Sequence, residues 1–381
     1  MTRALTHKGL AFLAAMANVG IAALVLSPQS GLLLLASFST VQIMLPFAGL
    51  GMSQRFAGRE HPNVARSELW PFAISTALGC ALLVLQSQRV AGMESFWIAV
   101  LACVLHAGTT AAEISRSLAS VQAGFVAVNV GVLGSSLVVL AQGRVGWAAA
   151  VPVGLSLTAV LVGLPRFISS DFRRPSYSAL AWREDLLKGV RVLAINQYYN
   201  VVVVMLSALA TPSTGLSLAV VYRANIGLNW QTFYWLRLAH KETLTGFTFA
   251  ARRTNKRIIR LNHISTVAVL AGAAMWFSLD VPDRFPTGSL DSRTITLLVC
   301  FSLLLFFENM VFPYEVFTLY SDSAQDDFRF LLQGSIVMAS LAALIWAGVT
   351  PYLLLLAGEA GYFLWRMQAR QRVKTRDVQL S

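Results

Sequence analysis

The chain has 381 residues, 56% hydrophobic and only 13% charged, with a mean hydropathy of +0.62 and a formal net charge of +12 at pH 7. Soluble domains carry about 45–50% apolar and about 25% charged residues, so a water-exposed globular enzyme and a long disordered chain are both excluded. Clustered Lys and Arg could serve a nucleic-acid backbone, but here they sit between apolar runs long enough to cross a bilayer. Their role is therefore topological, and no nucleic-acid partner is expected.

From the N-terminus, apolar runs bounded by turn or charge signals cover residues 8–27, 31–53, 69–87, 95–114, 120–140 and 145–165. Arg3 and Lys8 open the first run as they would a signal peptide, yet further spans follow at once and no small-residue cleavage site stands near Leu26, so it reads as an uncleaved helix. Ser169 to Asp185 is the long polar interruption. After it come runs at 186–208, 213–235, 262–280, 294–314, 328–348 and 351–367. In hydrocarbon every backbone polar group needs an internal partner, which leaves helices or closed barrels, and these runs are too continuously apolar for alternating barrel strands. The predicted fold class is an all-α polytopic membrane protein with about 12 transmembrane helices. Its expected organisation is an N-terminal six-helix bundle over 1–167, a cytoplasmic linker over 168–185, a C-terminal six-helix bundle over 186–368 and a basic tail over 369–381. Pro71, Pro152 and Pro351 are expected near span ends or in first turns, where a missing amide hydrogen costs little.

With both termini in the cytoplasm, only Arg89, Arg144, Arg284 and Arg293 of the 30 Lys and Arg fall on the outer side. Arg191 and Arg223 lie within spans, and all the others are on the inner side, as the positive-inside rule requires. The basic stretch Arg237 to Arg260 and the tail from Arg366 are explained by topology, although Leu244, Phe247 and Phe249 would also suit an interfacial helix on anionic lipid.

A weak internal repeat relates the two halves. Lys8-Gly9 and Lys188-Gly189 open spans one and seven, and the turns that follow read Pro28-Gln29-Ser30-Gly31-Leu32-Leu33-Leu34 and Pro212-Ser213-Thr214-Gly215-Leu216-Ser217-Leu218. Six spans return the chain to the same side, so a duplication would be parallel, with a central cavity between the bundles. Coincidental turn chemistry is the alternative, since Gly, Pro and Ser recur in any short turn.

The segment Leu26 to Glu60, whose second helix ends at Gly49-Leu50-Gly51-Met52-Ser53-Gln54-Arg55, resembles the first hairpin of Wzx-like polysaccharide flippases. These belong to the multidrug/oligosaccharidyl-lipid/polysaccharide exporter superfamily. Leu186 to Asn200 is similar to that family's seventh helix, and Thr214 to Leu228 resembles its eighth. The resemblance implies a transporter of the bacterial inner membrane, and a cargo of isoprenoid pyrophosphate-linked oligosaccharide for exopolysaccharide or O-antigen assembly. It also implies membrane lipids and a glycan polymerase or glycosyltransferases as partners.

Ionisable groups inside spans are the candidate functional residues, because a charge at the bilayer centre costs about 2.5 kcal/mol or more. They are His106, Arg191, Arg223, Glu308 and Glu359. Arg223 lies near the midplane of span eight, where its guanidinium would either bind an anionic headgroup or pair with Glu308 or Glu359. Arg191, close to the inner end of span seven, would join it or snorkel to the interface. Asn196, Gln197 and Asn200 on span seven and Asn225 on span eight suit sugar hydroxyls or interhelical hydrogen bonds equally. In the mechanism the resemblance implies, Arg191 and Arg223 hold the pyrophosphate and the amides contact sugar. Glu308 and Glu359 could alternatively couple transport to a proton or sodium ion.

His106, alone on an apolar helix, reads as a satisfied packing histidine, and Cys80, Cys103 and Cys300 read as buried packing residues with neither disulfide nor zinc spacing. No GxSxG, P-loop or HExxH motif occurs, so no enzyme, cofactor or metal is expected. A cation-coupled small-molecule or drug exporter is the competing reading. A membrane polysaccharide polymerase ranks lower, because the longest outer loop, Leu279 to Arg293, is short.

Overall fold

A computed structural model of the protein describes residues 2–51, 64–65, 69–119, 123–164, 168–169, 198–209, 211–213, 215–220, 222–223, 260, 263–264 and 267. The chain divides into two compact units, Met1–Val220 and Val221–Ser381. In the first unit the described residues form α1 (Thr2–Leu24), α2 (Pro28–Met44), a tight helical segment (Leu45–Gly51), α3 (Trp70–Ser87), α4 (Met93–Ala119), α5 (Ala123–Gln142), α6 (Trp147–Gly163) and α7 (Tyr198–Leu209). Among the described residues the extended structure is a two-residue parallel bridge, with Val64 opposite Ile168 and Ala65 opposite Ser169. Each of the first six apolar runs forms a helix, and α7 occupies the end of the seventh. Most of the predicted linker lies outside the described residues.

The helices Pro28–Leu50, Trp70–Ser87, Met93–Arg116 and Ala123–Gln142 are long and apolar enough to cross a membrane, while Gly9–Leu24 and Trp147–Gly163 are shorter apolar helices. Their outward faces say what surrounds them. On α3, Trp70, Ile74, Leu78, Leu82 and Leu85 form one exposed stripe at helical spacing, and on α6 Trp147, Val151, Leu155 and Val162 do the same. Leu155 is 67% exposed and Val162 71%. Stripes of this length would be an aggregation surface in water and are at no disadvantage against lipid tails.

The core is built around α2. Every residue from Ser30 to Val41 is buried, the mark of a helix surrounded on all sides, and its neighbours are α1, α3, α4 and α7. Ser27 caps α2, its Oγ accepting from the Ser30 amide at 3.3 Å, and Pro28 occupies the first turn, where its missing donor is harmless. After Met44 the helix breaks: Gly49 adopts φ +62° and Leu50 φ +55°, so the Gly-Leu-Gly motif marks a true helix end. The Gly49 amide donates to Ser75 Oγ at 3.0 Å, and the Phe72 ring fills the space a Cβ at Gly49 would need.

One carboxylate gathers three turns at one end of this unit. Glu94, at the start of α4, accepts from Ser30 Oγ at the start of α2 and from the Val145 amide, at 3.0 Å, in the turn between α5 and α6. These are the three turns that the charge distribution assigns to the outer side, so the alternating threading read from charge is matched in space.

Between α5 and α6, glycine allows close approach. A Cβ at Gly131 would lie 2.6 Å from Ser156 Oγ and one at Gly134 2.9 Å from Pro152 Cβ. Pro152 is the sixth residue of α6, in its second turn rather than at a span end or in the first turn. Its missing amide frees the carbonyl of residue 148, and the next carbonyl, that of Ala149, accepts from Ser135 Oγ of α5.

The two turns of the internal repeat share one backbone hydrogen bond. The Gly31 amide donates to the Ser27 carbonyl at 2.8 Å, and the Gly215 amide donates to the Thr211 carbonyl at 2.8 Å. In both, the glycine and the three residues after it are buried. They also meet: a Cβ built on Gly31 would stand 3.3 Å from Leu216 Cδ2. Equivalent turns of an inverted repeat would sit on opposite sides of the membrane, whereas these lie at the same end, as a parallel repeat demands.

Candidate functional site

The densest polar chemistry in the described residues lies between α2, α3 and α4. His106, halfway along α4, is 1% exposed and packs directly on Gly79 of α3, where an added Cβ would come within 2.1 Å of Nε2. Its Nε2 is 3.5 Å from the Ser75 carbonyl, and its Nδ1 has no hydrogen-bond partner. The histidine is thus a packing residue as expected, but only half satisfied. Thr110, one turn further along α4 and on the same face, likewise has a buried and unpartnered hydroxyl.

On α2, Thr40 Oγ1 donates to Gln86 Oε1 of α3 at 2.9 Å, leaving Gln86 Nε2 without a partner, and the hydroxyls of Ser37 and Ser39 are also buried and unpartnered. Ser37 and Ser39, two residues apart, face different sides of their helix. Each unsatisfied group of this kind costs about 1–3 kcal/mol, so the interior of this bundle offers hydrogen-bonding capacity that packing alone does not use.

A second feature is an ion pair near the C-terminal end of α4. Arg116 Nε donates to Glu113 Oε2 at 2.9 Å and its Nη2 to Glu113 Oε1, a bidentate arrangement three residues apart. Glu113 is 5% exposed. The short side-chain reach at i, i+3 makes this pair, and the opposite charges at that spacing, Glu113 and Arg116, were the available sequence signal for it. Glu94 carried no such signal, because its partners are 64 and 51 residues away in sequence.

Of the residues singled out from sequence, Asn200 lies in α7, fully buried and engaged by its surroundings, in the helix that packs on α2. Arg223 is helical within the second unit and half-buried, next to the fully buried Tyr222, which the sequence did not single out, and both have interaction partners. Arg191, Asn196, Gln197, Asn225, Glu308 and Glu359 lie outside the described residues. Among the described residues no group of three or more His, Cys, Asp or Glu could hold a metal ion.

Membrane-length helices with apolar stripes turned outward and polar groups turned inward define a multi-pass helical membrane protein. No family model matches the chain, and no curated protein matches it. Among solved structures it is similar to a MATE in complex with MaD3S, at 14% identity and a TM-score of 0.45, over 97% of this chain and 94% of that one. It is also similar to a MATE in the bent conformation, at 14% identity and a TM-score of 0.46, over 98% and 94% of the two chains. A third similar structure is a MATE in complex with MaL6, at 12% identity and a TM-score of 0.46, over 96% and 95%. At these identities and scores the likeness assigns no family.

Proposed function

We propose that this chain is a transporter of the bacterial inner membrane that flips an isoprenoid pyrophosphate-linked oligosaccharide from the cytoplasmic to the outer leaflet by alternating access. The observation that carries the reading is the meeting of the two equivalent turns, Ser27–Gly31 and Thr211–Gly215, at one end of the first unit. A parallel duplication of this kind favours two bundles that rock about a cavity between them. The Glu94 clasp supports the same motion, since a bundle whose three outer turns are tied together moves as one body.

The cargo follows from the Wzx-like resemblance of Leu26 to Glu60 and Leu186 to Asn200. In this reading Arg191 and Arg223 hold the pyrophosphate through the planar guanidinium fork. Asn196, Gln197 and Asn225 face sugar, and the isoprenoid tail stays in lipid. Both termini are cytoplasmic, and a glycan polymerase or glycosyltransferases act on the same cargo.

The test is the leaflet distribution of lipid-linked repeat units in a deletion strain lacking any second flippase. Accumulation on the cytoplasmic face, restored to normal by the wild-type chain and not by Arg223→Ala, is the expected result. Single units that reach the outer face but fail to join would point to polymerisation instead, and an unchanged glycan would sink the flippase reading. Loss of transport in Glu308→Gln or Glu359→Gln, with Arg223→Ala active, would favour the cation-coupled exporter.

A further inference from the structure

We propose that Cys80 and Cys103 form a redox-active dithiol between α3 and α4, one that closes to an interhelical disulfide under a lipid-soluble two-electron oxidant of the quinone class. Both are free and half-buried, and the structure turns them toward each other. Cys80 Sγ lies 3.9 Å from the Cys103 carbonyl oxygen, and Cys103 Sγ lies 3.7 Å from the Cys80 carbonyl oxygen. With each sulfur beside the other residue's carbonyl, the two cysteines stand opposite each other at one level of the helix–helix seam, the placement that an interhelical disulfide needs.

The neighbouring residues keep the seam narrow. Gly79, next to Cys80, has no Cβ, and the His106 ring, one turn along α4 from Cys103, occupies that space. Both cysteines sit mid-helix in segments of membrane length. Water-soluble thiol–disulfide couples are excluded from that depth, whereas a quinone dissolves there, and half-burial leaves the sulphurs reachable.

In the reaction the two S–H bonds break and one S–S bond forms. The dithiol gives up two electrons and two protons, and the two carbonyl oxygens of the quinone take them up to become a hydroquinone. The product closes the chain from Cys80 to Cys103 into a covalent hairpin, so that α3 can no longer slide along α4. Reduction by a dithiol reagent reverses the step by thiol–disulfide exchange.

The experiment uses the full-length Cys300→Ser protein in membranes, treated with a ring-substituted quinone that resists thiol addition. Alkylation with N-ethylmaleimide without reduction and peptide mass spectrometry follow. The expected result is loss of alkylation at both cysteines and a linked Cys80–Cys103 peptide pair lighter by two hydrogens, with dithiothreitol added after denaturation restoring both labels. In Cys80→Ser, Cys103 should remain alkylated after the same treatment. Full alkylation of both cysteines after oxidation, in protein that still elutes as a folded species, would overturn the proposal, and so would a disulfide that links two copies of the chain.

Discussion

Gly31→Ala tests the close approach on which the α1–α2 hairpin and the repeat contact both depend. A Cβ at Gly31 would stand 2.2 Å from the Ala22 carbonyl oxygen and 3.3 Å from Leu216 Cδ2. Carbon and a carbonyl oxygen approach to about 3.3 Å in ordinary contacts, so the shortfall at Ala22 is about 1 Å. The obstructing atom is backbone in a fully buried stretch of α1, and it cannot move aside as the end of a long side chain could. Helix propensity alone would make alanine the better residue by about 0.5–1 kcal/mol. Overpacking costs about 1–3 kcal/mol, so the net change is a destabilisation of about 1–2 kcal/mol. For a unit of this size that corresponds to a fall of about 5 °C in Tm. Gly20→Ala is the matched control, because nothing lies within 4 Å of a Cβ there and only the propensity gain applies. The assay is thermal unfolding of detergent-solubilised protein followed by size-exclusion chromatography. If Gly31→Ala proved as stable as Gly20→Ala, the hairpin geometry and the meeting of the repeated turns would both be wrong.

Three further outcomes are expected in the same assay. Gly79→Ala should lower Tm in the wild-type background but be tolerated in a His106→Ala background, since the added methyl meets the imidazole ring; additive effects would refute the contact. Glu94→Ala should cost about 1–3 kcal/mol by stranding the Val145 amide and the Ser30 hydroxyl. Glu94→Gln, which can still accept from Val145 and reach Ser30, should cost less, and the reverse ranking would count against the clasp. Arg116→Ala should destabilise by about 2–3 kcal/mol because it strips a buried carboxylate of its bidentate partner. The double change Arg116→Ala with Glu113→Gln should recover part of that loss, and no recovery would mean that the pair is not what holds this end of α4.

The imidazole and amide groups inside the bundle show where a reading of single residues reaches its limit. His106 was recognisable as a packing histidine because one charge-capable group on an apolar helix has little else to do. That its Nδ1 would be left without a partner depends on the rotation of α3 against α4, which places Gly79 and the Ser75 carbonyl under the ring. The cysteines illustrate the same point more sharply. Read one at a time they are small apolar residues, and their pairing is a property of two helices in register.

By itself the sequence determined the positions of the helices in the first half, the membrane setting, the alternating threading and the repeated turn. These follow from local quantities: an apolar run long enough to cross a bilayer must be helical there, the alternation of charge-rich and charge-poor turns says which turns share a side, and a Ser/Thr-Pro turn closed by glycine starts a helix without tertiary help. Only the tertiary structure decided which helix is surrounded, which carboxylate gathers the three turns at one end and which polar atoms go without partners. Hydropathy cannot separate a lipid-facing side chain from a protein-facing one, because both environments are equally apolar. The buried run of α2 and the exposed stripe of α3 therefore look alike in one dimension and differ only once the neighbouring helices are in place.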